Sequence, residues 1–203
     1  MASDHYFSSQ PASAAARRPL TVRLSGREVR LTTASGVFSP DRIDHGTQVL
    51  LANTPAPPGD GALLDLGSGW GPIALTLGIE SPDADVWAVD VNERALDLVR
   101  RNAADLGLPR VNAALPDDVP DDLRFRTIWS NPPIRIGKQE LHEMLLHWLP
   151  RLADDGDAWL VVQRNLGSDS LQRWLQETLP EFAVDRAATG KGYRVLHVHR
   201  HAA

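Results

Sequence analysis

Leu63–Leu75 reads LLDLGSGWGPIAL: an apolar run, three glycines at alternate positions, then a second apolar run opened by a proline. The first run has the length and composition of a buried strand. Pro72 suits the first turn of a helix, where its missing N–H leaves no bond unmade. Gly67, Gly69 and Gly71 let the chain turn sharply and let a ligand come close to the main chain. The spacing is G-x-G-x-G, because Pro72 stands where the dinucleotide fingerprint would place its last glycine. Working outward, DVWAVDV reads as the next strand and ends in Asp90. An acid ending the strand after such a turn is placed to bind ribose hydroxyls. Asp65, just before the turn, is placed to meet a ligand amine or to order the loop.

The same rhythm continues downstream. NERALDLVRRNAADLG reads as a helix, with Asn92 as its N-cap, Asp97 four residues before Arg101, and Gly107 just past its end. A weak strand near 110–114, an acidic loop, the strand FRTIWS, a helix over 138–149 and the strand DAWLVVQ follow. A helix marked by Leu171, Trp174, Leu175 and Leu179 comes next, and then two strands near 181–187 and 193–199 with no helix between them. Alternating strands and helices predict an α/β fold of Rossmann-like type: a seven-stranded, mostly parallel sheet ending in an antiparallel pair. Upstream, LTVRLSGREVRLTT alternates around Ser25-Gly26, a hairpin in which Leu20, Val22 and Leu24 answer Val29 and Leu31. A helix is expected from about Asp44 to Asn53. Residues 1–19 read as a flexible segment, 20–60 as a cover and 61–203 as the core of one domain.

Composition sets bounds. The chain has 203 residues, 42% of them hydrophobic, and a net charge of −5, which leaves room for one sizeable core and shows no overall basic excess. The absence of cysteine excludes disulfides and thiolate zinc sites. No apolar stretch approaches a membrane span of about 20 residues. The first residues lack the apolar core of a secretory signal, so a cytoplasmic protein is expected.

The second informative stretch is SNPPIRIGK, Ser130–Lys138. Pro132 and Pro133 cannot continue a central strand, since neither donates to the ladder. They hold Asn131 extended at the end of FRTIWS, on the edge that carries the glycine turn. The Asn131 side-chain carbonyl and the Pro132 carbonyl make a fixed pair of acceptors, suited to the two protons of an NH₂ group. Holding both would aim the nitrogen lone pair at an electrophilic methyl, a contribution of positioning and not of proton abstraction.

Taken together, these segments resemble the class I S-adenosylmethionine-dependent methyltransferases. SGVFSPDRIDHGTQVLL, LLDLGSGWGPIAL, SNPPIRIGK and KGYRVL occur in the order and spacing of the small-domain enzymes related to ribosomal small-subunit RNA guanine-N2 methyltransferase C. The likeness runs from about His5 to His199 and suggests the short, stand-alone form. It implies S-adenosylmethionine as cofactor, held by Asp65, Gly67, Ser68, Gly69, Gly71, Asp90, Val91 and Asn131. Phe38, Asp44, Gly46 and Thr47 would close over it from the N-terminal side, with Asp117 or Asp118 near the adenine. Asn131, Pro132 and Pro133 would form the catalytic turn, with Ile134, Arg135 and Lys138 against the substrate. The family usually has an aromatic residue where Ile134 stands, and Phe38 or Trp70 is the candidate replacement ring. The implied reaction is N-methylation of an exocyclic amino group, guanine N2 of ribosomal RNA first. A protein amide or a small amine is the alternative acceptor, and a non-catalytic cofactor-binding subunit the alternative class.

The remaining candidates are weaker. Lys138, Arg135, Lys191 and Arg194 are equally readable as phosphate contacts or as solvated charge. His197, His199 and His201 alternate on the last strand without a neighbouring carboxylate in sequence, so no metal site is expected.

Overall fold

The computed structural model describes residues 16–133 and 137–201. Two strands, β1 (Arg17–Leu24) and β2 (Arg27–Ala34), form a hairpin, and α1 (His45–Asn53) leads into the main sheet. There follow β3 (Ala62–Leu66), α2 (Pro72–Glu80), β4 (Asp85–Val89), α3 (Glu93–Asp105), β5 (Val111–Ala114) and β6 (Phe125–Ser130). The chain then continues through α4 (Lys138–Trp148), β7 (Leu152–Gln163), α5 (Ser168–Thr178), β8 (Phe182–Gly190) and β9 (Tyr193–Arg200). Short 3-10 turns lie at Pro116–Asp118, Leu149–Arg151 and Arg164–Leu166.

The sheet runs β5-β4-β3-β6-β7-β9-β8, parallel except that β9 is antiparallel to both β7 and β8. The fold is thus the Rossmann-like α/β architecture expected, with its terminal antiparallel pair. The strand order reverses between β3 and β6, and ligands of open α/β sheets bind outside the carboxyl ends at such a point. The glycine turn, Asp90 and Asn131 follow β3, β4 and β6 at that edge.

Apolar side chains cover both faces of the sheet. Val49 and Leu50 of α1, and Ile73, Ala74 and Leu77 of α2, pack on one side; Leu141, Leu145, Leu171 and Leu175 of α4 and α5 pack on the other. The hairpin does not join this sheet. Its inward residues Leu24 and Leu31 pack against Trp70, Leu75 and Leu98, so it lies on α2 and α3. Leu20 pairs with Leu31 and Val22 with Val29, the register that the alternation implies. Asn102 of α3 fastens it: its Oδ1 accepts from Thr32 N at 2.7 Å and its Nδ2 donates to Thr32 O at 3.0 Å. A side chain here supplies the pairing that a further strand would have given β2.

Local signals explain the element ends. Asn92 caps α3 by accepting from the N–H of Arg94 and Ala95. Pro72 opens α2, and Gly107 adopts φ 67° beyond α3. Three expectations need correction. Strand β1 begins at Arg17, so residues 17–19 belong to the hairpin; Pro19 is tolerated because β1 is an edge. Strand β7 begins at Leu152, ahead of the expected DAWLVVQ, and its pairing with β6 steps from Leu152 to Asp157 across an irregularity. Asp97 pairs with Arg100 and not with Arg101, which reaches Asp105 at 3.9 Å. Residues 1–15 lie outside the described residues.

Candidate active site

Strand β3 delivers Asp65 into the interior, where it is fully buried. One carboxylate oxygen accepts from Ala74 N at 2.8 Å, which ties β3 to the first turn of α2. The other is buried and finds no partner among the described residues. Burial pushes the Asp65 carboxyl up to about 8, against the pull of the Ala74 N–H and with a further push from the Asp90 charge.

The glycine turn wraps under the end of β4. Gly67 N and Ser68 N both donate to Val89 O, and Gly71 N returns to Ser68 O. All three glycines have positive φ: 76° at Gly67, 54° at Gly69 and 97° at Gly71. Their surroundings differ. A Cβ at Gly71 would come within 3.0 Å of Val99, whereas one at Gly69 would meet nothing within 4 Å. Gly71 therefore serves packing, and Gly69 leaves open space above the turn. Asp90 accepts from Gly69 N at 2.8 Å and from Asn92 N at 2.9 Å. A carboxylate offers about four lone-pair sites, and with the Val91 N–H also engaged about one stays available to a hydroxyl donor. Burial raises its pKa, and the N–H groups of Asn92, Gly69 and Val91 oppose that rise.

Asn131 lies across the crevice, and the structure shows what holds it. Its Nδ2 donates to Asp44 Oδ2 at 2.9 Å and to Thr47 Oγ1 at 3.1 Å. The same Asp44 oxygen accepts from Gly46 N at 2.7 Å and so caps α1. With both amide protons engaged, Asn131 Oδ1 is left as the acceptor. A Cβ at Gly46 would lie 2.9 Å from Asp44 Oδ2, 3.0 Å from Tyr193 and 3.2 Å from Asn131 Oδ1. Glycine is thus what lets the start of α1 approach the Asn-Pro-Pro turn.

These parts surround a cavity of about 390 Å³, within the usual range for small-ligand sites. Of the residues expected from the sequence, Phe38, Gly67, Gly69, Asp90, Val91, Asn131 and Pro133 line it. Phe38 is 42% exposed and Val91 is 45% exposed at its rim. The strand-to-helix connection above the cavity is held by Arg94 Nη1 donating to Ser35 O and Asn92 Nδ2 donating to Gly36 O.

Several expected residues fall elsewhere. Asp117 is exposed on its 3-10 turn, and Pro116 takes the place at the cavity wall. Ser68 is buried beneath the turn and Asp65 sits behind it, so neither lines the cavity. Trp70 is a core residue, 2% exposed, whose Nε1 donates to Ser39 O; it is no free stacking ring. Lys138 lines a separate notch with His142 and Ser170. Arg194 is paired with Asp169. Ile134 and Arg135 lie outside the described residues. His197 stacks on Trp159 with ring centroids 4.2 Å apart, and no metal-binding cluster occurs among the described residues. Met144 and Trp148, which lie on the apolar face of α4, form the far wall. Helical periodicity reports that face, but not the gap that exposes its end to a cavity.

The residues present fit S-adenosylmethionine: an acid on the cavity wall after β4 with acceptor capacity to spare, open space over Gly69, and Asn131 on the facing wall. Residues 28–197 match the family model of the methyltransferase small domain. The chain is 33% identical over 197 residues to protein YbxB of Bacillus subtilis, covering 96% of this chain and 97% of that one. It is 37% identical to a release factor glutamine methyltransferase of Neisseria gonorrhoeae, over 82% of this chain and 57% of the other. With ribosomal RNA small subunit methyltransferase C of Aeromonas hydrophila it shares 36% identity, over 63% of this chain and 36% of that protein. The chain thus spans nearly all of the first relative but only about half or less of the other two. A solved 16S rRNA N2 methyltransferase (RsmC) of Thermus thermophilus, in complex with AdoMet and guanosine, has the same fold, with TM-score 0.77 at 22% identity over 94% of this chain and 52% of that one.

Fold and site together define an S-adenosylmethionine-dependent methyltransferase. Within that class, the chain belongs to the methyltransferase small-domain family.

Proposed function

We propose that this protein methylates an exocyclic amino group, and that its substrate is guanine N2 in ribosomal RNA. The observation that carries the reading is the bonding of Asn131. Asp44 and Thr47 take its two amide protons and leave Oδ1 as an acceptor on the wall of the cofactor cavity. Bound there, S-adenosylmethionine supplies an electrophilic methyl group. Asp90 would hold the ribose hydroxyls, and the turn at Gly67 and Gly69 would lie against the methionine portion. Asn131 Oδ1 and the Pro132 carbonyl would accept the two protons of the target NH₂ and orient its lone pair. The nitrogen gains a methyl and then loses one proton to water, so no strong base is required.

Phe38 favours a planar base over an amide: it is partly exposed at the cavity rim and offers a flat apolar face. The relatedness to small-subunit methyltransferase C points the same way. Similarity to release factor glutamine methyltransferases supports a second reading, in which a protein glutamine amide presents its NH₂ to the same acceptors.

Two experiments test these statements. Calorimetry with S-adenosylhomocysteine is expected to show binding that Asp90→Ala weakens by about tenfold or more, equivalent to at least about 1.4 kcal/mol. No binding to the intact protein would refute the cofactor site. Nucleoside mass spectrometry of ribosomal RNA from deletion and parent strains is expected to show loss of N2-methylguanosine. Unchanged levels, with loss of methylglutamine in a release factor, would establish the second reading.

A further inference from the structure

The hairpin has the opposite charge to the chain that carries it. Residues 17–34 hold five arginines (17, 18, 23, 27 and 30) against one carboxylate, Glu28, in a chain of net charge −5. All five arginines are exposed. Arg17, Arg18 and Arg30 line a cleft together with Arg101 of α3, over a floor that includes Leu31 and Thr32. Asp105 is the carboxylate in its lining, 3.9 Å from Arg101, and Arg18 pairs with Asp41 outside it. Arg17 and Arg30 form no ion pair among the described residues. A face built only for solubility mixes its signs, as α3 does with Asp97, Arg100, Arg101 and Asp105. The cleft gathers four arginines against one carboxylate.

Its place in the fold matters as much as its charge. Arg17 pairs with Ala34 at the end of the hairpin from which the chain runs on to Phe38 at the cavity. Helix α3 links the two features directly: Ala95 lines the cavity and Arg101 lines the cleft. Six residues of helix separate them, about 9 Å at 1.5 Å per residue. A strand of nucleic acid with one base in the cavity needs only a few nucleotides to reach the cleft.

We propose that the cleft formed by Arg17, Arg18, Arg30 and Arg101 binds the phosphodiester backbone of RNA beside the nucleotide that is methylated. This rests on the reading that the substrate is RNA. Guanidinium groups match phosphate oxygens in a planar, two-bonded geometry. Such contacts set the position of the strand without reading its sequence. The cleft therefore supplies docking, and base recognition stays with the cavity.

The test uses the full chain, undermethylated ribosomal RNA from a deletion strain, and Arg17→Gln combined with Arg30→Gln. A matched control combines Arg110→Gln with Arg126→Gln, which removes the same charge away from the cleft. Methyl transfer is measured between about 50 and 200 mM salt. The expected result is a KM for RNA raised about tenfold at the low-salt end and converging with wild type at the high-salt end. The slope of log KM against log salt should fall by about 1.4, for two lost contacts to a single strand. The kcat and the affinity for S-adenosylhomocysteine should not change. Arg17→Lys with Arg30→Lys should restore the salt dependence but only part of the affinity, since lysine keeps the charge without the two-bonded geometry, and this separates charge from any damage to the hairpin. An unchanged KM, or an equal rise in the control, would overturn the docking surface and leave the RNA reading intact. Absence of methyl transfer to RNA by the wild-type protein would overturn the RNA reading and this proposal with it.

Discussion

Replacing Asp44 by alanine separates two roles that a single carboxylate plays. Its Oδ2 accepts from Gly46 N at 2.7 Å, which caps α1, and from Asn131 Nδ2 at 2.9 Å. Loss of the cap costs about 1 kcal/mol of stability. Loss of a charge-assisted bond to Asn131 costs about 1.5–3 kcal/mol. That second loss falls on the orientation of Oδ1, because only Thr47 then restrains the amide. If orientation is what Asn131 contributes, kcat falls by about tenfold to a hundredfold, since each 1.4 kcal/mol is a factor of ten. Asp44→Asn keeps an acceptor and should recover most of the stability but only part of the rate. Steady-state kinetics, urea unfolding and S-adenosylhomocysteine calorimetry resolve these effects. In an Asn131→Ala background, Asp44→Ala should lower the rate little further, since the group it positions is gone. A loss seen entirely as weaker cofactor binding, with kcat unchanged, would refute the reasoning and make Asp44 a cofactor ligand only.

Further consequences follow from the same geometry. Asp65 has its folded-state pKa raised from 3.8 to about 8, so its favourable contribution is complete below about pH 4 and is lost as pH rises towards 8. Its slope is on the order of 1.4 kcal/mol per pH unit in that window, and urea unfolding of Asp65→Asn at pH 5 and pH 8 should show that slope removed. Gly69→Ala should fold with a loss of about 1 kcal/mol but bind S-adenosylhomocysteine poorly, because its Cβ enters open space in the cavity. Gly71→Ala should lose more stability, since its Cβ meets Val99 at 3.0 Å, and thermal unfolding of the pair reads the difference. Asn102→Ala leaves Thr32 N–H and C=O without their partner, so a loss of about 2–3 kcal/mol and faster proteolysis within the hairpin are expected.

Much of the fold was legible because it is written in short-range patterns. Alternation marked β1 and β2, helical spacing marked α3 and α5, and proline and glycine marked where β3 ends and α2 begins. The strand ends that carry Gly69, Asp90 and Asn131 were legible too, since a parallel sheet places every such end on one edge. Errors arose where local composition competes with the ladder. ADDGD is polar enough for a loop, yet it lies within β7 as an irregularity, where the pairing with β6 steps from Leu152 to Asp157. Trp70 stands within a glycine turn, yet the hairpin covers it.

The sequence by itself determined the strand–turn–helix order, the acid after β4 and the proline-terminated β6, because each depends on residues that are neighbours in the chain. Only the tertiary structure decided what those residues do to one another. Asn131 meets Asp44 and Thr47 across more than 80 residues, and Asn102 meets Thr32 across 70. The placing of Pro116 in preference to Asp117 at the cavity, and the gathering of Arg17, Arg30 and Arg101 in one cleft, are likewise products of packing. A hydrogen bond or a charge cluster needs positions correct to a fraction of an ångström or a few ångströms, and periodicity specifies only a face.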